Sequence, residues 1–390
     1  MSKIRKIPGR RFWLILFGCV FCAVIISVSG LIGAENQSQA QGATTQRVRV
    51  LSADNSRLSP DPNVDGLLLG RQTVEVEILT GEHRGQHVRF ENTLSRFFNH
   101  QAREGMELLV LVNDADGRVV QVEVLGHSRH IFIYVFIALF IAILIAVGRK
   151  KGLYSAISLL FTLCVVVFGM IPQILRGHSP VAMAVIAAAL SAIFNIFVVS
   201  DISLKSLAAV LGTVAGIAIA GAVSVAAGSI AHISGLNLEH AQELFYRAED
   251  RIIGIADLLF AGIIISALGA VIDVGMSVSS SVFNIKRLNP KMNMKKLYQG
   301  GMSAGRETIG ATSNTLILAF AGSSVAVMVI LALYSLPHIH LMNLDLFAIE
   351  VIRGISAGIA LVLTLPVTAL LASLLASENK ITSILRRVRS

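Results

Sequence analysis

The strongest constraint on this chain is the number and length of its apolar runs. A helix crossing a bilayer needs about 20 consecutive apolar residues. Windows of that size fall at Phe12–Gly33, Ile131–Val147, Leu153–Leu175, Val181–Val199, Leu207–Ala231, Ile252–Val282, Thr312–Leu336 and Leu346–Leu375. The last three are overlong, which predicts tilt, kinks or helix ends outside the lipid. Only 15% of the residues are charged, against about 25% in soluble domains. The expectation is a polytopic α-helical membrane protein with about eight transmembrane helices.

Charge orients these spans. Lys3, Arg5, Lys6, Arg10 and Arg11 precede the first, and Arg149, Lys150 and Lys151 follow the second. Lys205 joins spans four and five, Lys286 to Lys296 join six and seven, and Arg386, Arg387 and Arg389 close the chain. All these segments fall on one side, so both termini are expected in the cytoplasm. The same distribution accounts for the net charge of +9 with no nucleic-acid partner. Cys19 and Cys22 lie in an apolar run that continues to Gly33, so the first span reads as uncleaved.

Residues 1–33 are then a cytoplasmic N-terminus and first helix, 34–129 an extracytoplasmic domain, 130–376 a seven-helix bundle and 377–390 a basic cytoplasmic tail. The outer segment opens with a polar linker, Glu35–Gln46. Strand-like alternation follows at Arg47–Leu51, Thr73–Leu79, His87–Glu91, Glu107–Val112 and Val119–Leu125, with turn signals at Gly81, Gly85, Gly105 and Asp116-Gly117. Five short strands suit a small β-rich, oligonucleotide-binding-like (OB-like) barrel. It lacks an aromatic and basic stacking surface, which argues against single-strand binding. Between His232 and Arg251 the pattern predicts a short amphipathic helix at the outer surface.

Several intramembrane residues stand out. Asp273 interrupts an otherwise apolar stretch, where a carboxylate costs roughly 2.5–3.5 kcal/mol on the mildest insertion scale. Helical spacing places it on one small or polar face with Ser266, Gly269, Ser277, Ser280 and Asn284, and Ile263, Ile264, Leu268 and Ile272 fall elsewhere. Asp273 is either a functional group or a satisfied interhelical hydrogen bond. Asp257 lies about sixteen residues earlier, near a helix N-terminus that favours an acid. Glu307, Ala311, Asn314 and Leu318 share a face of the next span, and Arg306 and Glu307 serve a site or anchor the interface. Gly301, Gly305 and Gly310 permit close packing or an unwound start to that span. Asn195 is expected at a similar depth. Gly212, Gly216 and Ala220 recur every four residues, a packing pattern.

No phosphate-binding loop or His-Glu-x-x-His helix is present. Neither an enzyme nor a cofactor is expected. His232, His240, His338 and His340 fall in outer loops, where a metal site is the lesser reading.

Asp257–Asn284 (DLLFAGIIISALGAVIDVGMSVSSSVFN) and Gly305–Gly322 (GRETIGATSNTLILAFAG) together resemble the YibE/YibF family of bacterial multi-pass membrane proteins. Ile230–Glu243, Gly177-His-Ser-Pro180, Thr80–Gly85 and Glu91–Ser95 are similar to it too. The resemblance spans Tyr134–Ala376 and implies a bacterial cytoplasmic membrane, without implying an activity. Ala311-Thr-Ser stands where members often read Thr-Met-Thr. Two functional expectations follow. One is a secondary transporter or permease for an ion or small solute, using Asp273, Glu307 and Asn314, with Ser277, Asn195, Arg306 and Asp257 as further candidates. The other is an accessory or sensory protein whose outer domain binds a protein partner.

Overall fold

A computed structural model describes residues 43–115, 118–236 and 254–377, together with Gly18, Cys22, Ala241, Glu243 and Leu244. The chain divides into two compact units, Leu31–Leu144 and a second formed by Met1–Gly30 with Ile145–Ser390. Most of the first expected span, the amphipathic segment before Arg251 and the basic tail lie outside the described residues.

The first unit holds strands β1 (Ala43–Asp54), β2 (Leu58–Pro60), β3 (Leu68–Ile78), β4 (His87–Leu94), β5 (Glu107–Ala115) and β6 (Arg118–His127). All five expected strands are present. The short β2 adds a sixth, which three residues containing Pro60 are too brief to signal by alternation. The strand β1 also begins at Ala43, so the end of the expected linker is paired, with Ala43 opposite Asn113. The pairing is antiparallel throughout and runs β4-β3-β1-β5-β6, with β2 beside the start of β3. Two reversals separate β4 from β1, and two separate β6 from β1, so β4 and β6 run in the same direction.

Alternation explains the half-barrel. Val48 and Val50, then Val74, Val76 and Ile78, then Leu108, Val110 and Val112 all point inward and bury almost completely. One polar side chain joins them. Gln72 is fully buried, and its amide accepts from the Ala102 N–H at 3.0 Å and donates to the Ala102 carbonyl at 2.7 Å. It thereby pins the segment between β4 and β5 to β3. Nearby, the Arg96 guanidinium donates to both carboxylate oxygens of the buried Asp61, at 2.5 and 2.8 Å.

These bonds, first from Arg96 and then from the Asn63 N–H, hold the Asp61 carboxyl below the usual carboxylate range. A carboxyl with a depressed folded-state pKa stabilises the fold above its unfolded pKa, and that contribution is lost as the pH falls through the folded value. Melting between about pH 5 and pH 3 should therefore show a loss of stability that Asp61→Asn removes. An unchanged pH dependence in Asp61→Asn would assign the loss to other carboxylates.

Helices follow. These are α1 (His130–Cys164), a π-helical turn at Val165–Met170, α2 (Ile171–Leu175), α3 (Pro180–Ser200), α4 (Leu204–Ile230), α5 (Ile255–Leu288), α6 (Met294–Ser323), α7 (Val325–Leu333), α8 (His338–Met342) and α9 (Asp345–Ser377). Among the described residues, five helical runs are long and apolar enough to cross a membrane, or six if the bent pair α6–α7 is one span. This differs from the expected eight in three places. The first expected span lies mostly outside the described residues. The second and third share the run 130–175, broken at Arg149, whose φ of 49° interrupts the helix inside the basic segment. The seventh begins earlier than expected, at Met294, and bends by 59° after Ser323.

Around α5 the second unit packs α3, α4, α6 and α9. Ile263, Ile264, Val271, Val274 and Val278 of α5 form the centre of its core. Small residues set the helix spacing. A Cβ on Gly212 or Gly216 would fall 2.0 Å from Thr368 Oγ1 or Thr364 Oγ1 of α9, and one on Gly275 would fall 2.5 Å from Thr213 Oγ1 of α4. The four-residue glycine pattern of α4 is therefore the contact line with α9, as small-residue spacing implies.

Candidate functional site

The α5 helix divides into two faces. Ile263, Ile264, Leu268 and Ile272 turn into the core, whereas Gly262, Ser266, Gly269, Asp273 and Asn284 lie exposed. A Cβ on Gly262 or Gly269 would meet nothing within 4 Å. The polar stripe read from helical spacing is thus real, and it faces away from the helix core. Asp273 has no hydrogen-bond or ion-pair partner among the described residues.

One bond ties this stripe to α6. Ser277, one turn after Asp273, has its Oγ 3.2 Å from Thr308 Oγ1. Asp273 therefore lies one helical turn from the α5–α6 contact at Thr308. The expected face of α6 also appears. Glu307, Ala311, Asn314 and Leu318 are all exposed, as is Arg306, and neither Arg306 nor Glu307 forms an ion pair among the described residues. Of the two arrangements the glycines permit, close packing is the one found, and the start of this span is not unwound. Instead α6 is continuous through Arg306–Thr315, because Gly301 and Gly305 are spent on close contact. Their Cβ positions would lie 2.5 Å from Val282 and 2.0 Å from Leu365. Hydropathy windows place the span's start late because this amphipathic stretch is only half apolar.

Two candidates fall elsewhere. Asp257 sits in the first turn of α5, and a Cβ on Gly254 would be 2.8 Å from its Oδ2, so its carboxylate folds over the helix N-terminus. Sixteen residues of α-helix separate it from Asp273 by about 24 Å. Asn195 is half-buried on α3, which packs on α4 and α5, whereas α6 packs on α5 and α9. It does not join Asn314. No group of three or more His, Cys, Asp or Glu side chains among the described residues is placed to hold a metal.

Three polar residues become prominent only in the folded chain. A cavity of about 500 Å³ is lined by Gly262 and Ser266 of α5, Phe320 and Ser323 of α6, and Arg353 of α9. Arg353 donates to Glu350 at 3.1 Å, and the Ser324 hydroxyl at the α6–α7 bend donates to the same carboxylate. Both charged side chains are largely covered, at 29% and 20% exposure. Glu350 therefore clamps the bend to α9. The sequence signal was an i,i+3 acid–base pair inside an apolar window. Removing the carboxylate leaves a mostly covered guanidinium unpaired, so Glu350→Gln should destabilise by about 1–3 kcal/mol. Arg353→Gln in that background should recover part of the loss, and thermal melting of the double variant tests this.

These helices coincide with a known family. A family model described as YibE/F-like protein matches residues 136–378. The chain belongs to the YibE/F-like family. No curated protein and no solved structure matches it. The YibE/F-like region contains α5, α6 and α9, and therefore the whole seam described above.

Proposed function

We propose that this chain is an integral protein of the bacterial cytoplasmic membrane that moves an ion or small solute along the exposed face of α5. The carrying observation is a continuous line. Gly262 and Ser266 line the 500 Å³ cavity, and Asp273 follows Ser266 by seven residues, about 10 Å along the same helix face. Arg353 supplies a cation at the cavity, and Asp273 and Glu307 supply anions farther along. A carboxylate in an apolar helix is costly unless it meets a partner or water, and a hydrated solute path is such a setting. Both termini would be cytoplasmic, by the distribution of Lys and Arg. The direct test is gradient-driven uptake by the purified chain in sealed vesicles, scanned across small solutes with and without a proton or sodium gradient. A chain that moves no solute under any gradient overturns the reading.

A second reading is favoured by the independent core of the strand unit. Its pairing order and parallel β4 and β6 suit the OB type of barrel, and such a domain could bind a protein partner for an accessory or sensory role.

A further inference from the structure

The segment joining β4 to β5 displays two adjacent phenylalanines, Phe97 at 94% and Phe98 at 72% exposure. Nothing about their setting is loose. Arg96 is held by Asp61, Asn99 donates to the Leu68 carbonyl at 2.7 Å, and the Phe98 N–H donates to Ser95 Oγ at 3.0 Å. Behind them, Asn92 donates to the His100 carbonyl at 2.9 Å, and Gln72 clamps Ala102. Bonds on both sides hold the pair outward, with both rings largely exposed. Ordering costs are already met, which favours docking on another phase.

Their place in the fold says which phase. Parallel β4 and β6 end on the same side of the half-barrel, and the His100 ring stands edge-on to His127 with centroids 5.9 Å apart. His127 ends β6, and α1 starts at His130 with Ile131, Phe132, Ile133 and Tyr134, all exposed. Among the described helices, the 130–175 run holds the most apolar 18-residue window, with a mean hydropathy of 3.1. At its start lie the exposed Arg129 and a contact between the His130 and Tyr134 rings, centroids 6.2 Å apart. Arg, His and Tyr at a helix start are the residues of a membrane–water boundary. Phe97 and Phe98 precede His100 by three and two residues, at most about 11 Å of chain. The aromatic tip and the start of the apolar helix thus share one end of one compact unit.

We propose that Phe97 and Phe98 dock the strand domain onto the bilayer, inserting at the boundary between headgroups and acyl chains. This rests on the reading of 130–175 as membrane-spanning. The pair acts as a second membrane contact beside α1 and fixes the tilt of the domain on the lipid surface. Aromatic rings favour that boundary because they are apolar and polarisable, and their insertion needs no partner side chain.

Tryptophan fluorescence of the full chain tests this. In a Trp13→Phe background, single tryptophans replace Phe97, Phe98, Phe136 or Glu82, in phosphatidylethanolamine–phosphatidylglycerol vesicles with and without brominated acyl chains. Phe136 lies on the apolar run. Glu82 is exposed at the opposite end of β4, about 26 Å away. Bromolipid should quench positions 97, 98 and 136 at least about twofold more than position 82, with blue-shifted emission at 97 and 98. Quenching at 136 but not at 97 or 98, with acrylamide reaching the latter, overturns the docking and leaves the membrane reading intact. Shielding of 97 and 98 from both quenchers replaces the lipid with a protein contact. No lipid quenching at 136 overturns the membrane reading itself.

Discussion

Asp273→Asn is expected to lower gradient-driven flux at least about tenfold, equal to about 1.4 kcal/mol in the transport barrier, and to raise thermal stability in the same preparation. The two effects have opposite signs for one physical reason. A carboxylate in an apolar helix carries a desolvation cost of roughly 2.5–3.5 kcal/mol on insertion scales, and asparagine removes the charge with almost no change in shape. Ser277 already bonds across the seam to Thr308, and Asp273 bonds to nothing among the described residues. The substitution therefore breaks no hydrogen bond or ion pair among the described residues. Glu307→Gln should behave in the same direction, with a smaller gain in stability because the stretch around Glu307 is less apolar than that around Asp273. A structural carboxylate would give the reverse pattern, with lower stability and intact flux. Vesicle uptake and melting measured on one batch of protein separate the two.

The second large effect is steric. Gly212→Ala should destabilise the helical unit by about 1–3 kcal/mol, the usual cost of overpacking a filled contact. Its new Cβ would stand 2.0 Å from Thr368 Oγ1, 2.8 Å from Thr368 Cβ and 3.0 Å from the Thr368 backbone. Rotating one side chain cannot clear all three. Thr368→Ala in the same chain removes the hydroxyl and the γ-methyl but keeps Cβ, so it should restore part of the loss. Gly310→Ala is the matched control, because a Cβ there meets nothing within 4 Å, and alanine is the better helix former by about 1 kcal/mol. Equal melting temperatures for Gly212→Ala and Gly310→Ala would show that α4 and α9 are not in close contact.

How much of this was legible follows from the kind of signal each residue carries. The strands read correctly because one face of each packs on a core, so Val48, Val50, Val74 and Val76 alternate with polar neighbours. The polar stripe of α5 read correctly for the analogous reason at helical period. By contrast, α6 was misplaced. Its first half is amphipathic and glycine-rich, and an apolar window does not register helix made for close packing. The clamp between Ser324 and Glu350 was missed because its partners lie 26 residues apart. Of the four candidates grouped by depth, Asn195 separates by its neighbours from Asp273, Glu307 and Asn314. Depth along a helix is a one-dimensional quantity, and it leaves open which side of the helix meets which other helix.

Amino-acid order alone therefore established the division into a strand domain and apolar helices, the faces of those helices, and membership of the YibE/F-like family. Each of these depends on local period or on contiguous motif, which are properties of one segment at a time. Tertiary structure supplied the rest. It showed that Asp273 lies on an open seam beside α6, that glycines on α4 and α6 are contact points, and that Phe97 and Phe98 share an end with the start of α1. These are facts about which segments meet, and the contacts that make them join residues far apart in the chain.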